Sequence, residues 1–295
     1  MHRRTFLTSL GIAAAAARLG ACVTSPARAT SGAAPSAATG GRRLKRVGIQ
    51  LYTLRDDARG NLEGTLAAIA AAGYKDVELL SSMKNFGMPA TQLRQTLDRL
   101  GLRAPSTHIG ANAFDNLDAL FDEANTLGHE YVVLASLPFR PGESTPDDYR
   151  RWADRLNDAG RQARPRNLWV AFHDEAYDFR TVEGQQLYDI LADRTDPSLV
   201  RLQLDTGNAA MGGRDPLDLM RKYGSRYYSF HIKDAPRLGA STDAELGAGV
   251  VDFRRILGMI SDIDNKYLFV EQETYPGAPL DSVKRDYQYI STLEF

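Results

Sequence analysis

The chain has 295 residues, 43% of them hydrophobic and 25% charged, enough for one large core or two ordinary domains. Its formal net charge is −1; the first 21 residues hold Arg3, Arg4 and Arg18 and no acid, so the remainder stands at minus four. Lysines and arginines are interleaved with acids along helical faces, which excludes a general nucleic-acid binder with a phosphate-tracking groove.

At the N-terminus, Arg3-Arg4-Thr5-Phe6-Leu7 followed by Gly11-Ile12 and an alanine run resembles a twin-arginine export signal, too short and too weakly apolar to be a permanent span. Leu19-Gly20-Ala21-Cys22 resembles a lipobox, which makes Cys22 a lipidated first residue; Ala27-Arg28-Ala29 is the rival cut. Cys22 is the only cysteine, so neither cut leaves a disulfide. Residues 1–29 therefore read as a signal peptide, and 30–43, within a stretch rich in Ala, Ser, Thr, Gly and Pro, as a flexible linker. The expectation is an exported, periplasmic protein, anchored by lipid at Cys22 or released after Ala29.

From Lys45 onward a short apolar run, a polar break and an amphipathic stretch recur, the βα rhythm of a parallel sheet. The pattern predicts strands at 47–52, 76–79, 104–108, 131–135, 168–173, 201–205, 227–231 and 267–271. Helices are predicted at 62–72, 90–100, 117–127, 146–163, 216–223, 253–260 and 280–292. Gly73 and Gly101 sit where C-caps belong, and Asp215-Pro216 and Ser144-Thr145-Pro146 read as helix starts. Eight such units in about 250 residues predict an α/β protein, a single-domain (β/α)8 TIM barrel over 44–295. A dinucleotide-binding sheet lacks its fingerprint, since no Gly-x-Gly-x-x-Gly follows the first strand; Gly247-Ala248-Gly249 is a turn signal.

Strands five to eight end in His173, Asp205, His231 and Glu271. Barrels keep their chemistry at the C-terminal mouth, so these four converge, and two imidazoles with two carboxylates make one divalent-metal site. The strand period of two puts Gln203 with Asp205, Ser229 with His231 and Lys233, Ala171 with His173 and Glu175, Gln50 with Tyr52, Asp76 with Glu78, and Ser106 with His108. His129, on the opposite rim, reads as solvent-facing or a local cap.

Val47-Gly48-Ile49-Gln50-Leu51-Tyr52-Thr53-Leu54-Arg55-Asp56, Gly73-Tyr74-Lys75-Asp76-Val77-Glu78-Leu79, Phe230-His231-Ile232-Lys233-Asp234 and Val270-Glu271-Gln272-Glu273 together resemble the sugar phosphate isomerase/epimerase family of the xylose-isomerase-like barrels. The resemblance implies His173, Asp205, His231 and Glu271 as ligands of one divalent ion, manganese first, with cobalt, zinc and iron as alternatives. Many epimerases of the family carry a glutamate where this chain has His173. It further implies Glu271 as the base, with His108, Glu175 and Lys233 as the other proton-transfer groups, and Gln50, Tyr52, Glu78 and Gln203 as holders of substrate hydroxyls. The implied activity is a metal-dependent sugar isomerase or epimerase that abstracts a proton next to a carbonyl through an enediolate, on an unphosphorylated or oxidised sugar. The alternative is a 3-keto-glycoside lyase or hydrolase, in which the same abstraction is followed by elimination. A sugar-binding lipoprotein without turnover ranks below both, and a DNA-repair endonuclease is disfavoured by the acidic body and too few histidines. The partner is a small-molecule sugar or glycoside.

Overall fold

The computed structural model describes residues 41–295; the export signal, the Cys22 lipobox and the linker through residue 40 lie outside the described residues. Eight parallel strands close into one barrel: β1 (Gly48–Gln50), β2 (Asp76–Leu79), β3 (Arg103–Ile109), β4 (Tyr131–Leu134), β5 (Trp169–His173), β6 (Val200–Asp205), β7 (Tyr227–Ile232) and β8 (Tyr267–Val270). Each pairs with its neighbours in chain order and β1 closes on β8, with Gly48 opposite Phe269. The helices around it are α1 (Arg55–Ala72), α2 (Ala90–Leu100), α3 (Leu117–Leu127), α4 (Pro146–Ala163), α5 (Leu187–Arg194), α6 (Thr206–Met211), α7 (Pro216–Tyr223), α8 (Phe253–Met259) and α9 (Pro279–Thr292). This is a single-domain TIM barrel, and no helix among the described residues is long and apolar enough to cross a membrane.

Three departures from the sequence pattern have local causes. β1 stops at Gln50 because its side chain accepts the Tyr52 N–H at 3.1 Å and turns the backbone into a 3₁₀ segment, Leu51–Leu54, that runs into α1. The helical period appears only from residue 62 because Asn61 leaves helical geometry (φ −158°, ψ 87°) and its side chain accepts the Gly64 N–H, restarting the helix. At the N-terminal edge, Arg42 exchanges both backbone hydrogen bonds with Phe295 (3.0 and 2.9 Å), so ordered structure begins before residue 44.

Strand parity separates two cores. Ile49, Val77, Leu79, Val132, Leu134, Val170, Phe172, Leu202, Leu204, Phe230, Ile232, Leu268 and Val270 face the helices, in the large hydrophobic cluster. Tyr131, Val133, Ala171, Tyr267 and Phe269 form a second cluster inside the barrel. Gly48 admits Phe269 there, since a Cβ at that position would lie 2.6 Å from its ring. Above this apolar floor the inward residues turn polar.

Candidate metal centre

His173, Asp205 and His231 end or nearly end β5, β6 and β7, and Glu271 follows β8 directly. Register brings them level, with Asp205 opposite His231 on neighbouring strands and Phe269 opposite His231 on the other side. One ligand atom from each of the four lies within 4.8 Å of the others, and all four are buried. His231 Nδ1 is 2.8 Å from Glu271 Oε2 and 3.7 Å from Asp205 Oδ2, which is in turn 3.6 Å from His173 Nε2. His108 completes a packed trio of imidazoles, its ring centroid 4.8 Å from that of His173 and 5.1 Å from that of His231.

The donor atoms themselves test whether a cation fits. His173 Nδ1 lies 2.9 Å from the Ala135 carbonyl and must donate to it, so Nε2 carries a lone pair. That Nε2 and Asp205 Oδ2 are both buried and have no hydrogen-bond partner among the described residues. Two lone pairs facing each other in a dry space are what a divalent ion would satisfy, and the residues fit one. Asp205 is fixed from behind: its N–H donates to Asp174 Oδ1 at 3.0 Å, and its Oδ1 accepts the Asn208 N–H at 2.8 Å.

Charge at the mouth is balanced by Lys233, whose Nζ is 3.7 Å from Asp205, 3.6 Å from Glu271 and 3.3 Å from Asn208 Oδ1, and which contacts Glu273. Burial works against the Asp205 carboxylate, but the Lys233 ammonium and the two imidazoles outweigh it and hold its pKa well below the usual range. Glu271 is likewise held low against burial, by Lys233 and His231. Burial would lower Lys233, yet Glu271, Asp205 and Glu273 keep its pKa well above the ordinary value. Burial dominates at Glu175, where neighbouring acids add to it, Lys233 opposes it, and the carboxyl is pushed up to about 8.

A cavity of about 280 Å³ opens over this cluster, lined by Tyr52, Ser82, His108, Ser136, His173, Glu175, Asn208, Glu271 and Glu273 among others. Of the four residues expected to hold substrate hydroxyls, only Tyr52 lines it, whereas His108, Glu175 and Glu271 of the proton-transfer set all do. Gln50, Glu78 and Gln203 have no exposed surface and lie beneath the cluster, hydrogen-bonded to one another; their expected role as hydroxyl holders does not suit that position. His129 is neither exposed nor a simple cap: it is buried, with Nδ1 2.6 Å from the Ala104 carbonyl. Sequence reasoning missed Asn208, Asp174 and Glu273; the last shares the parity of Glu271 and was legible in the same Val-Glu-Gln-Glu run.

Two segments frame the mouth. The loop after β7 is pinned, since the Asp234 carboxylate accepts the N–H groups of Ala235, Gly247, Gly249 and Val251, and Asp243 accepts those of Glu273 and Thr274. On the opposite side Ser81–Gly87 contains three consecutive left-handed residues, Lys84, Asn85 and Phe86 (φ 53°, 45°, 53°). Glu123 braces this strained turn, accepting from Ser81 Oγ and Asn85 Nδ2.

Residues 66–293 match the family model described as xylose isomerase-like TIM barrel. An inosose dehydratase from Geobacillus kaustophilus is 26% identical over 273 residues, 75% of this chain and 88% of that one. A sugar phosphate isomerase/epimerase from Parabacteroides distasonis superposes with a TM-score of 0.70 at 23% identity, covering 88% of this chain and 98% of that one. The IOLI protein, solved with a binding zinc atom, superposes with a TM-score of 0.66 at 16% identity, covering 85% and 99%. The protein is thus an enzyme, and it belongs to the xylose isomerase-like TIM barrel family.

Proposed function

We propose that the enzyme acts on a polyhydroxylated ketone, removing the proton next to the carbonyl and then expelling an oxygen substituent from the adjoining carbon. One observation carries this reading: β5 ends in His173 and not in a carboxylate. A symmetrical epimerase needs a proton acceptor on each face of the reacting carbon. Here the His173 ring is committed, through Nδ1 to Ala135 and through Nε2 to the buried cluster, which leaves Glu271 as the carboxylate base. Glu175 at the rim, and the buried Lys233 by way of its contact with the cavity-lining Glu273, are suited to deliver a proton to the departing oxygen. The inosose dehydratase name of the Geobacillus relative, an elimination from a cyclic polyol ketone, agrees with this outcome.

His173, Asp205, His231 and Glu271 would hold the divalent cation, manganese in this proposal with zinc, cobalt and iron as alternatives, and it would supply the positive charge that acidifies a C–H beside a carbonyl. Glu271 takes that proton at the oxygen not facing His231. His108, at the cavity wall, exchanges protons with the oxygens of the substrate, while Glu271 alone serves the reacting carbon. Tyr52 and Asn208 line the space and orient hydroxyls, and the pinned Asp234–Val251 loop holds Glu273 against Lys233.

A second version keeps the first step and releases a glycosyl or aglycone oxygen instead of water. It is favoured by a further groove of about 220 Å³ that shares Ser82, Ile109 and Gly110 with the metal cavity and so extends it sideways. Ketose isomerisation is the competing outcome. In deuterium oxide, manganese-loaded enzyme given an inosose, a 3-keto-glycoside and free ketoses should wash deuterium into the carbon next to the carbonyl and release water or aglycone. An epimerised product without elimination would replace this reading by isomerisation, and no exchange with any of them would refute it. The proposal also places the enzyme in the periplasm, with residues 1–29 as its twin-arginine signal; the N-terminal mass of the mature protein distinguishes lipidation at Cys22 from cleavage after Ala29.

A further inference from the structure

Glu78 lies in the middle of the barrel with no exposed surface, yet its carboxylate is among the most heavily used groups in the protein. It accepts from Gln50 Nε2 at 2.8 Å, Ser106 Oγ at 2.6 Å, Gln203 Nε2 at 3.0 Å and His231 Nε2 at 2.5 Å. A carboxylate offers only acceptor sites, so the His231 Nε2 beside Glu78 must carry a proton; Nδ1, 2.8 Å from Glu271 Oε2 and on the side of Asp205, is the nitrogen that gives up its proton when a cation is bound.

The same carboxylate reaches a second imidazole through Gln203. That amide spends its Nε2 hydrogens on Glu78 and on Ser229 Oγ (3.0 Å), which fixes its Oε1 as the atom 2.9 Å from His108 Nε2. An acceptor at that distance requires His108 to be protonated on Nε2 as well; Glu78 Oε2, 3.2 Å away, demands the same. The His108 Nδ1 is then the basic nitrogen of a ring that lines the cavity.

We propose that Glu78 is a positioning residue that sets the tautomer of both imidazoles at once, presenting His231 as a ligand through Nδ1 and His108 as a proton acceptor through Nδ1. It rests on the reading of His231 as a metal ligand and of His108 as a proton-transfer group. The chemical logic is that of a carboxylate behind a ligating histidine, which fixes the ring and raises its basicity. Here one carboxylate on β2 serves a ligand on β7 and, by way of the β6 amide, a base on β3.

The test is spectroscopic and needs no variant to fold. In zinc-loaded protein labelled with ¹⁵N-histidine, long-range proton–nitrogen correlations should show His108 and His231 both protonated on Nε2; an Nδ1–H form of either overturns the proposal. Glu78→Gln, which keeps the shape but removes the acceptor-only group, should leave both rings as tautomer mixtures and weaken zinc binding by calorimetry about 10–100-fold. Unchanged tautomers and affinity in a folded Glu78→Gln protein would also overturn it. Wild-type protein that takes up no zinc would instead refute the metal reading, while the His108 signal in the same sample still decides the tautomer.

Discussion

The two ends of this barrel are built from the same strands with the same parity, and they put their inward polar groups to different uses. At the floor each polar group named has a partner: the Arg201 guanidinium lies 3.6 Å from the Trp169 ring centroid and 3.4 Å from that of Tyr228 and reaches the Tyr131 hydroxyl. Arg103 forks onto Asp76 at 2.7 and 2.8 Å, and the Tyr267 hydroxyl donates to Glu130 at 2.6 Å. At the mouth, by contrast, His173 Nε2, Asp205 Oδ2 and Asp174 Oδ2 are buried without partners among the described residues. The paired groups named at the floor stabilise the fold, and lone pairs left over on ligand-type side chains that converge at one point mark the end that binds and reacts.

The largest effect expected from breaking this division lies at the mouth. Asp205→Asn should weaken manganese binding by at least about 10³-fold, beyond the 10–100-fold of groups that only orient a ligand. Wild-type protein should gain about 2.7 kcal/mol of stability in manganese at a hundred times its Kd, and the variant nothing at the same concentration; thermal melts with and without the cation measure both. Next is Arg201→Ala, which removes stacking on two rings and leaves a void in the floor, for a loss of about 3 kcal/mol. Its melting temperature should fall while the manganese-induced rise stays as in wild type. A lost rise would show that floor and mouth are not separable.

How much of this could be read from residue order divides along the barrel axis. Period two and a parallel strand order are enough to bring His173, Asp205, His231 and Glu271 to one point, because neither depends on distant detail. Depth is another matter: Gln203 lies two residues before Asp205, about 6.6 Å further down at 3.3 Å per residue, and how strand ends sit relative to one another follows from register, which no local pattern reveals. Gln50, Glu78 and Gln203 thus shared the right face and sat one layer too low to meet a substrate. The left-handed run at Lys84, Asn85 and Phe86 is announced only by the Gly87 that ends it, and it is braced by Glu123, some forty residues away. α5 escaped for a related reason, since Gln186 at its start makes no side-chain cap.

A smaller effect would probe the pinned loop. A Cβ at Gly249 would collide with the Asp234 carboxylate and the Ala235 carbonyl. Gly249→Ala should therefore cost about 2 kcal/mol by overpacking. Limited proteolysis should then cut within 235–251 first, with the barrel still folded; cleavage spread evenly over the chain would mean that the loop is not the part held by Asp234.

The smallest effect returns to the floor, where a buried histidine is sensitive to acid. Burial, aided by Arg94 and opposed by the bond to the Ala104 carbonyl, lowers the His129 pKa from 6.5 to about 4. The unfolded chain therefore binds a proton at this position between those values and the folded chain does not, so the stability His129 contributes is present above pH 6.5 and is lost as the pH falls toward 4. At pH 5.5 the linkage amounts to about 1.3 kcal/mol relative to pH 7.5. His129→Asn keeps a donor for the carbonyl and cannot titrate, so in urea unfolding the wild-type protein should lose about that much more than the variant between the two pH values. Equal losses would mean that His129 is already able to reach water in the folded state, and the floor would then be less closed than its packing indicates.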